Sequence, residues 1–197
     1  MFARTERLLL RPGWIEDAPA LAQAIGEESV VRNLATAPWP YHEAQAMEFL
    51  AKPINPAEPR FLIFSRTGGA PRLVGGCGIS PDPDGQLEMG YWIARPYWGL
   101  GFATEAGRQL MRIARAMQLP KLAAGHFLDN PASGAVLRKL GFKPTGQVAK
   151  RYSLARGGEA DCALFEEGDA DDGAVTPMRD RIGVDEDFRQ ELRLLAA

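Results

Sequence analysis

The segment Arg95-Pro96-Tyr97-Trp98-Gly99-Leu100-Gly101-Phe102-Ala103-Thr104 decides how the rest of the chain is arranged. The residues before it, 86–94, are rich in apolar and aromatic side chains and predict a strand. After it, Ala106, Leu110 and Ile113 recur at the spacing of one helix face. The segment is therefore predicted to be a tight turn that leads from a strand into a helix.

The two glycines of this turn, Gly99 and Gly101, favour an anionic ligand. Glycine lets the backbone bend where a Cβ atom would clash, and it lets a ligand approach closely. The first turn of a helix has unpaired N–H groups at the positive end of its dipole, which suits a phosphate. Such amides would hold a pyrophosphate without any lysine. On this segment alone a purely structural turn remains the alternative, since it contains neither a P-loop nor a complete dinucleotide-binding motif.

The composition is typical of a soluble globular protein. The 197 residues suit one domain, and the 46% hydrophobic and 24% charged shares are ordinary values. The net charge of −2 gives no reason to expect nucleic-acid binding. Two cysteines cannot build a disulfide framework or a metal cluster, so no metal is expected. Because no apolar run is long enough to cross a membrane and the N-terminus does not resemble a secretory signal, we expect a cytoplasmic protein without a membrane partner.

The remaining apolar and turn patterns predict a mixed α/β (α+β) fold. Strands are expected at residues 7–12, 60–65, 72–80, 86–94, 121–127, 142–152 and 161–165, and helices near residues 16–26, 42–52, 102–118 and 130–141. The last helix has Asn130 as its N-cap, Pro131 at its first position and Gly141 just past its end. This order indicates one sheet, with the first two helices on one side and the long third helix on the other.

The C-terminal residues differ from the rest of the chain. From Glu166 onward acidic residues outnumber basic ones, and few core-forming side chains occur before Phe188. Residues 1–166 are therefore predicted to form the domain, and residues 167–197 a flexible acidic tail with a short helix at its end. The tail is either a solvated extension without a function or a surface for a protein partner.

Three segments resemble, in their order and spacing, those of the GNAT acyltransferases and of their RimJ/RimL-like branch. Residues 98–103, Trp-Gly-Leu-Gly-Phe-Ala, match the family's acetyl-CoA loop, usually written Gln/Arg-x-x-Gly-x-Gly/Ala. Residues 88–92, Glu-Met-Gly-Tyr-Trp, resemble the strand before that loop. Residues 130–133, Asn-Pro-Ala-Ser, together with residues 137–142, Leu-Arg-Lys-Leu-Gly-Phe, resemble the second signature of the branch. The resemblance covers about residues 5–166.

This resemblance implies a GNAT-type fold, a central twisted mixed sheet whose middle strands splay apart, with helices on both faces. Acetyl-CoA would occupy the gap between those strands as a co-substrate. Its pyrophosphate would take the backbone amides of the glycine turn, namely Gly99, Leu100, Gly101, Phe102, Ala103 and Thr104. Its pantetheine arm would pair with the strand backbone at Trp92, Ile93 and Ala94. Asn130 would contact the coenzyme, and Ser133 would lie near the thioester sulfur.

Acetyl transfer to an amine needs a base, an oxyanion donor and a proton for the departing thiolate. Glu88 is the candidate base, directly or through water, and an ordinary salt bridge is its alternative role. A backbone N–H near Ile93 would stabilise the oxyanion. Ser133 would hydrogen-bond the thiolate or would only help to cap its helix. Many relatives have a tyrosine acid one turn later, where this chain has Leu137, and Trp98 replaces the usual Gln or Arg.

The resemblance thus implies an N-acetyltransferase that works by direct attack in a ternary complex. The acceptor would be a primary amine, either a protein N-terminal α-amine or a small amine metabolite, and the sequence does not choose between them. Residues 36–42 and the closing hairpin around residues 156–158 would shape its pocket. A non-catalytic acyl-CoA-binding or sensing domain is the alternative, which the missing tyrosine favours. A homodimer is compatible with the fold and is not decided by the sequence.

Overall fold

The structure, a computed structural model, describes residues 1–82 and 84–168. Its strands are β1 Ala3–Arg4, β2 Leu8–Arg11, β3 Arg60–Ser65, β4 Arg72–Pro81, β5 Leu87–Ile93, β6 Ala123–Phe127, β7 Phe142–Ser153 and β8 Gly158–Glu167. Its α-helices are α1 Ala18–Ile25, α2 Glu28–Val31, α3 Glu43–Ala51, α4 Phe102–Ala116 and α5 Pro131–Lys139, and short 3-10 helices lie at Ile15–Asp17 and Arg95–Tyr97. None of the described helices is long and apolar enough to cross a membrane. The predicted terminal helix of the acidic tail lies outside the described residues.

The strands form one eight-stranded sheet in the order β1-β2-β3-β4-β5-β6-β8-β7. Neighbouring strands are antiparallel, except that β5 and β6 are parallel. Each helix and strand predicted within the described residues is present, with small differences at the ends, so the mixed α/β fold is confirmed. The elements β1 and α2 were not predicted, because two and four residues are too few to show a period.

Helices cover both faces of the sheet, as predicted. The buried side of α4 packs on one face in the larger hydrophobic core, and α1, α2 and α3 cover the opposite face with a second core. Strand β3 shows why both layers are needed. Its Phe61 and Ile63 belong to the first core, and its Leu62 and Phe64 belong to the second. A strand that is apolar on both sides is stable only between two layers.

The sheet opens between β5 and β6. Strand β5 pairs with β4 along its whole length. In the described part of the chain its pairing with β6 is limited to one bridge, between Glu88 and Ala123. Beyond this bridge the two strands separate toward their carboxyl ends. The splayed middle strands expected from the resemblance are therefore confirmed.

Helix packing on the α4 face holds the two halves of the sheet together. A Cβ atom added to Gly107 of α4 would lie 2.6 Å from Cδ1 of Leu140, which follows α5. Because Gly107 has no side chain, the end of α5 approaches α4 closely. Leu110 of α4 and Leu137 of α5 are fully buried in the same core. The gap is thus spanned by side-chain packing rather than by backbone hydrogen bonds.

Candidate functional site

The glycine turn follows β5 at the open end of the gap. Gly99 has a φ of 77° and Gly101 a φ of 80°, a region that favours glycine. The first hydrogen bond within α4 runs from the Glu105 N–H to the Gly101 carbonyl, at 3.0 Å. The N–H groups of residues 102–104 therefore have no helical acceptor, and the N-cap Gly101 has no side chain to satisfy them. The predicted turn from strand to helix is confirmed, and its amides are available to an anion.

An ion pair from the N-terminal part of the chain supports this turn. The Arg7 guanidinium contacts the Glu105 carboxylate through Nε and Nη2, both at 2.7 Å. Its Nη1 donates to the Leu100 carbonyl at 3.0 Å. The Arg7 backbone N–H and the Thr5 hydroxyl also donate to Glu105, at 2.9 and 2.5 Å. Burial alone would raise the pKa of Glu105, but the hydrogen bonds from Thr5 and Arg7 hold that pKa below its ordinary value.

Alternate residues of β5 direct their backbone groups into the gap. The Ala94 N–H donates to the Val74 carbonyl at 2.9 Å, and the Trp92 carbonyl also lies against β4. These two contacts direct backbone groups of Trp92 and Ala94 toward β4. Neighbouring residues of a strand direct their backbone N–H and C=O groups to opposite sides. The backbone groups of Tyr91 and Ile93 therefore face the gap. That Trp92 and Ala94 pair with a pantetheine arm stays a prediction. Ile93 also stays a predicted position for pairing with the pantetheine arm, and the direction of its backbone groups makes Tyr91 a further candidate.

The Trp98 side chain is hydrogen-bonded to one of the backbone groups that face the gap. Its indole N–H donates to the Ile93 carbonyl at 2.6 Å. The Arg95 guanidinium lies over the same indole, 4.5 Å from the ring centroid, yet Trp98 remains exposed to solvent. The tryptophan that replaces the family's Gln or Arg thus holds a backbone acceptor beside the gap. A ligand that pairs with Ile93 must share this hydrogen bond or replace it.

Helix α5 begins on the other side of the gap from β5. Asn130 caps it as predicted, because its Oδ1 accepts a hydrogen bond from the Ser133 N–H. The Ser133 hydroxyl lies 2.8 Å from the Tyr91 hydroxyl, which also donates to the Ser133 carbonyl at 2.9 Å. Burial raises the pKa of Tyr91 to about 12, and the hydrogen bond with Ser133 acts in the opposite direction. Leu137, which stands where many relatives have a tyrosine, is buried in the core.

Glu88 lies at the closed end of the gap, at the bridge between β5 and β6. Its carboxylate is 3.3 Å from Nη2 of Arg151 on β7, and this guanidinium is 3.8 Å from Asp82. Burial raises the pKa of Glu88, Arg151 lowers it and Asp82 raises it, with a net increase. The salt bridge named as the alternative role of Glu88 is therefore present. A carboxylate with a raised pKa also suits a base, so that role stays a prediction.

The two predicted catalytic side chains lie on different faces of the sheet. Glu88 and Tyr91 are three residues apart on β5, so their side chains leave opposite faces. Tyr91 and its partner Ser133 lie on the α4 face, where Tyr91 packs against the larger core. On the other face, the Glu88 Oε1 atom is 3.6 Å from the position of a Cβ added to Gly125 of β6. Glu88 and Ser133 therefore lie on opposite faces of the sheet, and no contact joins them among the described residues.

The β7–β8 turn is fixed beside the start of α5. Both terminal nitrogens of Arg156 donate to Asp129, at 3.0 and 2.8 Å, and Nη2 of Arg32 contacts the same carboxylate at 2.9 Å. The Leu154 N–H donates to the Ala35 carbonyl at 2.9 Å. These contacts therefore join three segments into one surface: the hairpin tip, the loop after α2 and the residue before the N-cap of α5. That these segments shape an acceptor pocket stays a prediction.

The family model of the acetyltransferase (GNAT) domain matches residues 7–143. The uncharacterized N-acetyltransferase p20 of Bacillus licheniformis is 28% identical over 169 residues, which cover 82% of this chain and 92% of that protein. A GNAT-family acetyltransferase from Bacillus anthracis has a similar fold, with a TM-score of 0.70 and 21% identity over 84% of this chain and 97% of that one. RimL, a ribosomal L7/L12 α-N-protein acetyltransferase solved with coenzyme A, gives a TM-score of 0.69 and 19% identity over 85% and 97%.

The matched part of the chain contains the features described above. Residues 7–143 include the glycine turn, the open edge of β5 and the capped start of α5. The relatives and the similar structures are acetyltransferases, so the resemblance seen in the sequence is confirmed together with the enzyme class. The chain belongs to the GNAT family of N-acetyltransferases.

Proposed function

We propose that this enzyme, a RimJ/RimL-like member of its family, moves an acetyl group from acetyl-CoA to a primary amine by direct attack in a ternary complex. The observation that carries the proposal is that two ligand-binding stretches of backbone adjoin each other. One is the open edge of β5 at Tyr91 and Ile93, and the other is the set of free amides at residues 102–104. The first suits a chain of amides, and the second suits a diphosphate. Coenzyme A carries both groups in one molecule.

The residues of the turn and of α5 have distinct roles in coenzyme binding. Gly99 and Gly101 leave the turn open, because a side chain at their positive φ would strain the backbone. The amides from residue 99 to residue 104 would bind the pyrophosphate. Ile93 would pair with the pantetheine arm, and Asn130 would contact the coenzyme from the start of α5. RimL, solved with coenzyme A, has the same fold and supports this choice of co-substrate.

In the reaction, the amine nitrogen forms a bond to the thioester carbonyl carbon, and the C–S bond then breaks with its electron pair left on sulfur. Glu88 takes the proton that the amine loses, directly or through water, and its raised pKa brings it closer to neutral pH. The N–H of Ile93 stabilises the oxyanion. The Ser133 hydroxyl gives a hydrogen bond to the departing thiolate, and a proton from water then converts this thiolate to the thiol of free CoA.

The two cysteines support direct attack rather than a covalent acyl-enzyme. Cys77 is buried in β4, and burial raises the pKa of its thiol to about 12. Cys162 is buried in β8, and burial raises the pKa of its thiol as well. The thiolate is the nucleophilic form of cysteine, and neither side chain is held in that form. Both thiols therefore support transfer of the acetyl group directly from sulfur to the amine.

Two classes of primary amine are candidate acceptors. RimL acts on a protein α-amine, as its name states, which supports peptides that end in a free α-amine as the first class to test. Small primary amines are the second class. Both are tested in one assay, because each transfer releases one molecule of free CoA thiol. The peptides need a blocked copy as a control, in which the α-amine is already acetylated.

The first experiment is thermal unfolding with acetyl-CoA, CoA or ATP. A ligand that binds only the folded state raises the midpoint, so we expect a rise with acetyl-CoA and CoA and none with ATP. Gly101→Val is the matched control, in which the rise should disappear. Thiol release with the two amine classes then tests transfer. Coenzyme binding without thiol release from any amine would favour the alternative of an acyl-CoA-binding domain, and no binding at all would overturn the proposal.

A further inference from the structure

The hydroxyl groups of Tyr91 and Ser133 form a pair across the gap. Tyr91 belongs to β5 and Ser133 to the first turn of α5, and their oxygens are 2.8 Å apart. The Tyr91 hydroxyl also donates to the Ser133 carbonyl, at 2.9 Å. Both contacts join strand β5 to helix α5 at the place where β5 and β6 have separated. The pair therefore lies on the α4 side of the gap and links its two walls.

The hydrogen positions in this pair follow from counting donors. A phenol has one proton, and here the Ser133 carbonyl accepts it. The Tyr91 oxygen must then accept the hydroxyl proton of Ser133, because two oxygens 2.8 Å apart need one hydrogen between them. The Ser133 carbonyl lies inside α5, where the amide four residues later is its ordinary partner. The phenol proton can therefore leave the carbonyl without leaving it unsatisfied.

We propose that Tyr91 is a positioning residue for the departing thiolate and acts through Ser133, an inference that rests on the function proposed above. When charge develops on sulfur, the Ser133 hydroxyl turns its proton from Tyr91 to the sulfur. The Tyr91 hydroxyl turns its own proton from the carbonyl to the Ser133 oxygen. The result is a chain of two hydrogen bonds, from phenol to serine to thiolate, in which no O–H bond breaks. The phenol thus takes the place of the tyrosine that is missing at Leu137.

The surroundings of the pair suit this role. Burial keeps the Tyr91 phenol protonated well beyond neutral pH, since its pKa is about 12. It is therefore a hydrogen-bond donor rather than an acid that loses its proton. A hydrogen bond to a charged acceptor is stronger than one between neutral groups, and a buried chain of such bonds is strengthened further. The pair thus favours the thiolate over the thiol and over the neutral thioester.

The test compares the binding of CoA with that of desulfo-CoA, which lacks the sulfur, by calorimetry between pH 7 and pH 9.5. In the wild type, the affinity for CoA relative to desulfo-CoA should rise as the CoA thiol ionises, by about tenfold at the highest pH. Tyr91→Phe and Ser133→Ala should each lose most of this gain, and the double variant should lose no more than either alone. Ser133→Ala keeps the N-cap, because Asn130 accepts from the backbone N–H of residue 133. Tyr152→Phe, which changes a phenol exposed on β7, is the control and should keep the full gain.

The outcomes separate this inference from the proposed function. If wild-type protein binds neither compound, the proposed function fails. If it binds both, and Tyr91→Phe keeps the same pH-dependent preference for CoA, the role of Tyr91 is overturned while the coenzyme site stands. Circular dichroism at each pH shows that the variants are folded. Once an acceptor is found, Tyr91→Phe should lower kcat about tenfold with an unchanged KM for acetyl-CoA, and a change confined to KM would contradict the inference.

Discussion

Replacement of Arg7 by Gln tests how the glycine turn keeps its affinity for an anion. In the wild type the Arg7 guanidinium neutralises Glu105, a carboxylate in the first turn of α4. Arg7→Gln leaves that carboxylate in place with no counter-charge. The carboxylate still accepts hydrogen bonds from the Thr5 hydroxyl and from the backbone N–H of residue 7. We expect weaker binding of CoA, because an unbalanced negative charge then lies beside the site of its diphosphate.

The size of the effect follows from Coulomb's law. Glu105 is one helical turn from Gly101, so its carboxylate lies roughly 8 Å from a phosphate at the start of α4. At that distance two unit charges interact by about 2 kcal/mol at an effective dielectric constant of about 20, and by about 0.5 kcal/mol in bulk water. Because 37% of the Arg7 side chain is exposed, the value lies between these limits. About 1 to 2 kcal/mol corresponds to a rise of about five- to thirtyfold in the Kd of CoA.

The assay is calorimetric titration with CoA at low and high salt. Glu105→Gln breaks the same ion pair but leaves the positive charge, so it should bind CoA at least as tightly as the wild type. The double variant should lie near the wild type, and high salt should shrink the loss in Arg7→Gln. Equal weakening in both single variants, independent of salt, would refute the reasoning, because the pair would then act only by holding the shape of the turn.

Three further predictions concern the gap and the turn. Gly101→Val should raise the Kd of CoA at least tenfold and cost about 1 to 3 kcal/mol of stability, since a φ of 80° strains a branched residue; unchanged binding would show that the turn is only structural. If Glu88 is the base, kcat/KM should decrease at acid pH, because only the deprotonated carboxylate accepts a proton. The apparent pKa of this decrease should be higher than the ordinary carboxyl pKa of 4.5. Arg151→Met removes a charge that lowers the pKa of Glu88 and should move this decrease to higher pH, and a decrease that stays in place would exclude Glu88. Trp98→Phe frees the Ile93 carbonyl and should tighten CoA binding, whereas weaker binding would mean that the indole is itself a ligand contact.

Local patterns in the sequence predicted most of the fold and the turn at its site. Apolar spacing marked the strands and long helices, since those elements bury a repeating face against the core. Capping chemistry marked α5, where Asn130 and Pro131 begin the helix and Gly141, with a φ of 90°, follows its end. Glycine spacing marked the turn before α4. Each of these signals depends on residues that are neighbours in the chain.

The parts of the site that were missed depend on residues far apart in the chain. Tyr91 and Ser133 are 42 residues apart, and Arg7 and Glu105 are 98 residues apart, so no local spacing marks either pair. The direction of each backbone group in β5 was also missed. It depends on the register with β4, in which Trp92 lies opposite Gly76, and register is a property of two strands rather than of one.

The single bridge between β5 and β6 gives the sheet a particular mechanical character. A continuous sheet resists stretching in its plane because many hydrogen bonds act in parallel, but in the described residues the backbone pairing between the halves is limited to Glu88 and Ala123. We expect the two halves to move as rigid bodies about this bridge, with the close packing of Leu140 on Gly107 limiting the angle between them. A ligand that contacts both halves of the sheet would hold them together and slow their separation. We expect amide hydrogen exchange at the edges of β5 and β6 to slow when CoA binds. We also expect the dissociation rate of CoA to limit the turnover rate of the enzyme.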